Sequence, residues 1–267
     1  SITRQLALRL GVVGLINVQF AIKDGTVYVI EANPRASRTV PFVSKATGVP
    51  LAKLAARIMA GEKLKSFNLP SDERRQSHFC VKEAVMPFGR FPGADVVLGP
   101  EMKSTGEVMG IASNFPAAYA KTQAAVSMEL PRCGTCFVSV CDRDKRAILP
   151  LARDLARIGF NLICTSGTAR ALKSANIPCE EIGRVSDPEP NILTLIRDGK
   201  IDLMINTPFG QETRTDGYVL RTMAVRQNLC YVTTLAGAQA FVSAIDNLRD
   251  DNLPIIALQD LDQWEER

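Results

Sequence analysis

Residues 136–168 read CFVSVCDRDKRAILPLARDLARIGFNLICTSGT, and their rhythm sets the fold class. An apolar run, CFVSV, gives way to polar DRDK, then to helical periodicity in AILPLARDLARIG, then to a second apolar run, FNLICT. The pattern continues as helix 168–176, strand 178–182, helix 189–199, strand 202–207, helix 217–228, strand 229–234 and helix 237–248. Five alternations of strand and helix predict an α/β domain, a doubly wound parallel sheet covered by helices on both faces. Pro150 sits badly in a helix that starts at Asp144, so either it kinks that helix or the helix starts later.

Upstream, the rhythm is different. Residues 6–12 read as a helix end stopped near Gly11. LINVQFAI (15–22) and TVYVIEA (26–32), joined by KDG, read as a β-hairpin whose second strand is buried. Pro50 opens a helix with Leu51, Leu54, Ala55, Ile58 and Met59 on one face, ended by Gly61. Residues 62–78 read as a polar surface loop. Residues 79–126 mix short strands, Gly- and Pro-rich turns and a helix-like AAYAKTQAAV, and 127–135 read as a linker.

The chain has 267 residues and is 46% hydrophobic, enough for two compact units. Its net charge is +4, with no basic run or aromatic-interleaved basic patch, which argues against a nucleic-acid binder. No apolar stretch approaches the ~20 residues of a membrane span, and there is no signal peptide. Seven scattered cysteines suit a reducing cytoplasm. Cys133 and Cys136 form one C-x-x-C, open to metal or redox use or simply to small residues leading into a strand. The chain starts in helical periodicity without Met, as a fragment of a longer protein would.

The hairpin's polar end carries the first chemistry. Glu31, Asn33, Arg35 and Arg38 fall within eight residues. A two-residue loop, Asp24-Gly25, would pair Val18 with Glu31. A three-residue loop, Lys23-Asp24-Gly25, shifts the register by one and is the expectation here. It puts Val18, Phe20, Ile22, Tyr28 and Ile30 on one face and Asn17, Gln19 and Glu31 on the other, with Asn33 beyond. Three oxygen donors at one corner suit a hard cation such as Mg²⁺ held with substrate phosphates. Two arginines nearby suit transferring phosphoryl oxygens. An N-cap or turn with surface arginines is the plain alternative.

The second chemistry lies at the carboxyl ends of the parallel strands, where such sheets bind ligands. These ends hold Asp142, Asp144 and Lys145, then Thr165, Ser166, Gly167 and Thr168 opening a helix, then Arg184, then Asn206 and Thr207, then Thr233 and Thr234. TSGT at a helix N-terminus offers free N–H groups, hydroxyls and a close-approach glycine, and Lys145 and Arg184 add positive charge. Together they read as a phosphate pocket.

GLINVQFAIKDGTVYVIEANPRASRTVPFVSKATGVPLAKLAARIMAG (14–61) closely resembles the end of the second ATP-grasp domain in the large subunit of carbamoyl phosphate synthetases. The resemblance continues through VKEAVMPFGRFPGADVVLGPEMKSTGEVMG (81–110) and covers essentially the whole chain. It implies a partial ATP-grasp α+β unit at 1–64, the remainder of the synthetic domain and a connector at 65–127, and a methylglyoxal-synthase-like allosteric domain at 128–267. It further implies that Gln19 and Glu31 bind ATP phosphates, that Gln19, Glu31 and Asn33 hold Mg²⁺ or Mn²⁺, and that Arg35 and Arg38 neutralise charge as carbamate is phosphorylated. Lys145, Thr165, Thr168, Arg184 and Asn206 match a pocket for UMP or IMP. Arg184 stands where enteric relatives have Lys, and Pro208 where they have Thr. Glu83, Tyr231 and Thr233 match an ornithine site. The implied partners are a glutaminase small subunit, the rest of the large subunit and a second copy of the chain. The implied location is the cytoplasm, and the implied pathways are arginine and pyrimidine biosynthesis.

Two other classes compete with this reading. A lyase like methylglyoxal synthase needs an acid in a Gly-Gly-Asp setting, whereas the corresponding region reads GRVSDPEPN (183–191) and the chain's one histidine is His78. A free-standing nucleotide or phosphate sensor is the other.

Overall fold

The computed structural model describes residues 1–69, 77–90, 102–207, 212–250 and 253–263. It forms two compact units, Ser1–Ser77 with Ile256–Arg267, and His78–Ile255. As compact bodies, the described residues of 78–127 therefore go with the parallel sheet rather than with the N-terminal unit.

In the first unit, α1 (Ile2–Arg9) is capped by Ser1, whose Oγ accepts the Arg4 N–H at 3.4 Å. Strands β1 (Asn17–Lys23) and β2 (Thr26–Asn33) form an antiparallel pair. The turn corrects the expected loop. Lys23 pairs with Thr26, so the loop is the two residues Asp24 and Gly25, with φ of 49° and 75°. Positive φ at both central residues is the turn whose twist matches a hairpin, and Asp-Gly supplies it cheaply. That register alone would set Val18 against Glu31. A β-bulge intervenes: Phe20 pairs with Val29 and Gln19 with Glu31, leaving Ile30 over. Gln19 thus shares a face with Glu31 as expected, but it stands directly opposite Glu31, through the bulge and not through the loop.

The apolar face differs too, because Phe20 and Ile22 oppose Val29 and Val27 while Tyr28 opposes Ala21. Nor is β2 buried, since residues 26–31 are exposed; the sheet of this unit has two strands among the described residues. Helix α2 (Thr39–Thr47), which the sequence reading did not find, ends at left-handed Gly48, and α3 (Leu51–Met59) follows Pro50. Ala55 of α3 is buried and Met59 is exposed.

In the second unit, β3 (Phe79–Val85) and β4 (Gly106–Ala112) pair antiparallel beneath α4 (Phe115–Ala125). A Cβ on Gly110 would lie 2.0 Å from the Ala118 carbonyl oxygen, so glycine permits this close strand–helix approach.

Next come β5 (Gly134–Val140), α5 (Ile148–Ile158), β6 (Phe160–Cys164), α6 (Ser166–Ser174), β7 (Glu180–Glu181), α7 (Ile192–Arg197), β8 (Leu203–Thr207), α8 (Glu212–Arg226), β9 (Cys230–Val232) and α9 (Leu235–Asp250). The strands are parallel in the order β7-β6-β5-β8-β9. Alternation along β5 splits the core. Cys136 and Val138 join Leu155, Leu172, Phe241 and Ile245 on one face, while Phe137 joins Ile192, Met204 and Leu220 on the other. Pro150 falls in the first turn of α5, where its missing N–H has no helical partner to lose. Cys133 is exposed, whereas Cys136 is fully buried and its thiol pKa lies well above the usual range through desolvation.

Candidate functional site

The order of the sheet reverses between β5 and β8, and ligands bind such sheets beyond the strand ends at that point. A cleft of about 530 Å³ opens there. Its walls include Lys145, Thr165, Gly167, Thr168, Arg184, Asn206 and Thr207, all expected from the sequence. Ser166, also expected, lies in the first turn of α6 but not in the cleft wall. Pro208 falls outside the described residues.

Main-chain bonds hold the rim in place. The Val140 N–H donates to Thr168 Oγ1 at 3.3 Å and the Cys141 N–H to Thr207 Oγ1 at 3.2 Å. Ser139 Oγ and Thr165 Oγ1 lie 3.1 Å apart. Asn206 Nδ2 donates to the Ser139 carbonyl at 3.2 Å, which ties β8 to β5. Its Oδ1 is buried and finds no donor among the described residues. A buried acceptor without a donor is costly, and a ligand donor is one way to satisfy it.

The Lys145 ammonium reaches the α6 N-terminus because position 167 has no side chain, where a Cβ would sit 2.9 Å from Nζ. That ammonium is also paired with Asp142, whose carboxyl it holds below its ordinary range.

Several wall residues escaped the sequence reading: Ser139, Cys141, Asp216, Gly217 and the apolar Val185, Ile192 and Leu220. Counting to the strand ends could have found the first two. The others come from α7, α8 and a loop, and only the packing brings them in. Arg221, also unforeseen, is 1% exposed, and its Nη1 lies 2.6 Å from where a Gly217 Cβ would be.

Glu83 on β3 accepts a hydrogen bond from Gln123 and neighbours Tyr119; burial raises its carboxyl pKa and the bond partly offsets that. Tyr231 packs instead with the cluster of Phe137 and Met204.

The hairpin corner of the first unit is open. Gln19 opposes Glu31, Asn17 opposes Asn33, and Asn33 Nδ2 donates to Glu31 Oε1 at 2.9 Å. The donors, one carboxylate and two side-chain amide oxygens, are of the type Mg²⁺ or Mn²⁺ takes, and they leave coordination positions for phosphate or water. Arg35 is exposed and donates from Nη1 to the Ala36 carbonyl at 3.0 Å, and Arg38 stands just before α2.

The family model described as "Carbamoyl-phosphate synthase L chain, ATP binding domain" matches residues 2–67, and the MGS-like domain matches 147–233. The "Carbamoyl phosphate synthase large chain" of Archaeoglobus fulgidus is 52% identical over 259 residues, 97% of this chain and 24% of that one. The chain belongs to the carbamoyl-phosphate synthase large-chain family. A relative from Methanocaldococcus jannaschii, "Carbamoyl phosphate synthase large chain, C-terminal section", is 48% identical over 97% of this chain and 44% of its own length. The large chain of Pasteurella multocida is 49% identical over 98% of this chain and 24% of its own. This chain thus spans about a quarter to under a half of the relatives it matches. Among the described residues no helix is long and apolar enough to cross a membrane.

Proposed function

We propose that the chain serves ATP-dependent synthesis of carbamoyl phosphate as the C-terminal part of a large chain, together with the rest of that chain and a glutaminase small subunit in the cytoplasm. The functional division at 64 and 127 belongs to this reading, as do the arginine and pyrimidine pathways. Support comes from the 2–67 family match and from the pairing of Gln19 with Glu31 beside Asn33. These side chains would hold Mg²⁺ or Mn²⁺ and the ATP phosphates. The metal would supply the positive charge that offsets phosphoryl oxygens. Arg35 and Arg38 would add fixed guanidinium charge to the same end, with donors suited to forked contact.

The cleft is the regulatory half of the proposal and would take a nucleoside monophosphate such as UMP or IMP. The observation that carries it is the cleft's two-sided chemistry. Lys145, Thr165, Gly167 and Thr168 suit a phosphate, whereas Val185, Ile192 and Leu220 suit the flat apolar face of a base. With Asn206 Nδ2 committed to Ser139, its Oδ1 is the atom left to accept from a ligand. Ornithine at Glu83, Tyr231 and Thr233 is a further part of the proposal, and rests on the family resemblance alone.

The test is calorimetric titration of the chain and of Lys145→Ala with UMP, IMP and inorganic phosphate. Hydrogen bonds to charged groups are worth roughly 1.5–3 kcal/mol, so Lys145→Ala should weaken binding about ten- to a hundredfold, more at low salt. Equal affinity of variant and wild type refutes the pocket.

A further inference from the structure

The point where the sheet order reverses also carries a thiol in a polar setting. Cys141 follows β5, lines the cleft and is partly exposed. Its Sγ donates to Asp144 Oδ2 at 3.1 Å and accepts from Thr207 Oγ1 at 3.7 Å. Asp144 is held in turn by Arg143, whose Nε lies 3.6 Å from its Oδ1. A nucleophile, a base within hydrogen-bond reach and a third group that orients the base are the parts of an activated thiol. The Thr207 hydroxyl faces the sulfur as a donor, which favours the thiolate. Lys145 and Arg184 in the same wall supply the electropositive surroundings in which cysteines react. The other thiols are placed differently. Cys136, Cys164 and Cys230 are buried, burial raises the Cys80 thiol pKa, and Cys179 donates to the Ala169 carbonyl. Cys133 is exposed and has no hydrogen-bonded carboxylate among the described residues. Asn206 is a separate sign that the cleft takes a ligand, since it is 7% exposed there and its Oδ1 has no donor among the described residues.

We propose that Cys141 is a modification site, at which exchange with an anionic disulfide closes the cleft to its nucleoside monophosphate. The thiol proton passes to Asp144 as Sγ attacks one sulfur of the disulfide. A new S–S bond forms, the old one breaks, and the released thiolate takes up the proton. Cys141 is oxidised and the departing half of the disulfide is reduced, so no further oxidant is needed. The attached group replaces the S–H bond to Asp144. It adds bulk and negative charge to a wall shared with Lys145, Thr165 and Thr207, and that charge repels a phosphate dianion. The closing of the cleft rests on its reading as a nucleotide site, whereas the reactivity of Cys141 does not.

The experiment treats the 267-residue chain with oxidised glutathione, a disulfide of net negative charge, and locates the modified cysteines by peptide mass spectrometry. UMP affinity is measured by calorimetry before and after. Cys141 should form the mixed disulfide about tenfold faster than the more exposed Cys133, a modest share of what a positioned base supplies. UMP should slow labelling at Cys141 and leave that at Cys133 unchanged. The modified chain should bind UMP at least about tenfold more weakly, and dithiothreitol should restore binding. Asp144→Asn should slow labelling at Cys141 alone, and Cys141→Ser should bind UMP equally before and after treatment. Labelling of Cys141 no faster than that of Cys133 overturns the site without any variant. UMP affinity that survives full modification of Cys141 overturns the closing of the cleft, as does loss of UMP binding by treated Cys141→Ser. If the untreated chain binds no UMP, the nucleotide reading falls and the closing of the cleft with it, while the ratio of Cys141 to Cys133 labelling still decides the modification site.

Discussion

Among the described residues, Glu31 in the hairpin and Asn206 in the cleft each have one side-chain bond, to Asn33 and to Ser139, yet their settings are opposite. Glu31 is exposed on a two-stranded ribbon, whereas Asn206 is 7% exposed at the reversal point of a five-stranded sheet. Charges in water interact weakly and charges out of it strongly. Asn206 Oδ1, buried and without a donor among the described residues, therefore needs a partner more than an exposed acceptor does. The hairpin corner presents correct ligand types but gains force only when something encloses it. Within one chain, donor identity and donor environment are separate achievements.

The largest expected effect tests that difference at the level of packing. Phe137→Ala, at a fully buried position in β5, should cost the second unit about 3–5 kcal/mol in denaturant unfolding. Ile22→Ala, at a position 74% exposed, should change stability by less than about 0.5 kcal/mol. Equal costs would break the contrast between an open ribbon and a packed sheet.

Next is catalysis. Carbamoyl phosphate synthesis by this chain alone should be undetectable, since the hairpin corner proposed to hold the metal is exposed at Glu31. In the assembled enzyme Glu31→Gln should lower synthesis by about a hundred- to a thousandfold, comparable to removing one preorganised electrostatic partner. Nucleotide affinity at the cleft should hold. Near-normal synthesis would remove Glu31 from the metal set.

A smaller effect probes the cleft rim. Thr168→Val removes the acceptor for the buried Val140 N–H and should cost about 1–3 kcal/mol in unfolding free energy. Thr168→Ser should recover most of the loss. A neutral Thr168→Val would mean the rim does not depend on that bond.

The smallest effect is a pH dependence at Glu83. Its carboxyl pKa is raised by burial, against the bond from Gln123. The folded state then binds more protons than the unfolded state between the ordinary carboxylate value and the raised one. Stability from this group is present at low pH and falls as pH rises through that window. Glu83→Gln should flatten this slope and leave the chain slightly more stable at neutral pH. An unchanged slope would assign the pH dependence elsewhere.

Much of this was legible in residues 134–250. Repeating apolar runs and helical periodicity gave the order of strands and helices, with bounds off by up to a few residues and α8 starting at Glu212 rather than Gly217, because burial on both faces of a parallel sheet imposes that pattern on the chain. Eight of the cleft residues, Asp142 among them, were legible for the same reason: they lie at or just after strand ends, and strand ends can be counted. Helix α2 was missed because Pro41 in its first turn and polar neighbours hide a nine-residue period. Asp216 and Gly217 were missed because a position within a helix gives no sign of which cavity it borders.

The hairpin separates what the sequence determined from what tertiary structure decided. Asp24-Gly25 dictates a tight turn by itself, since both residues tolerate positive φ, and alternation fixes that there are two strands. Whether Gln19 or Val18 meets Glu31 depends on one extra residue, Ile30, and a bulge has no local signature in composition. Likewise the chain itself specified Lys145, Gly167 and Asn206 as residue types suited to an anion. The pairing of Lys145 with Asp142, the use of Asn206 Nδ2 on Ser139 and the burial of Arg221 against Gly217 arose only on folding. Local conformation follows from each residue's own stereochemistry, whereas such partnerships depend on distances between segments that the sequence order does not contain.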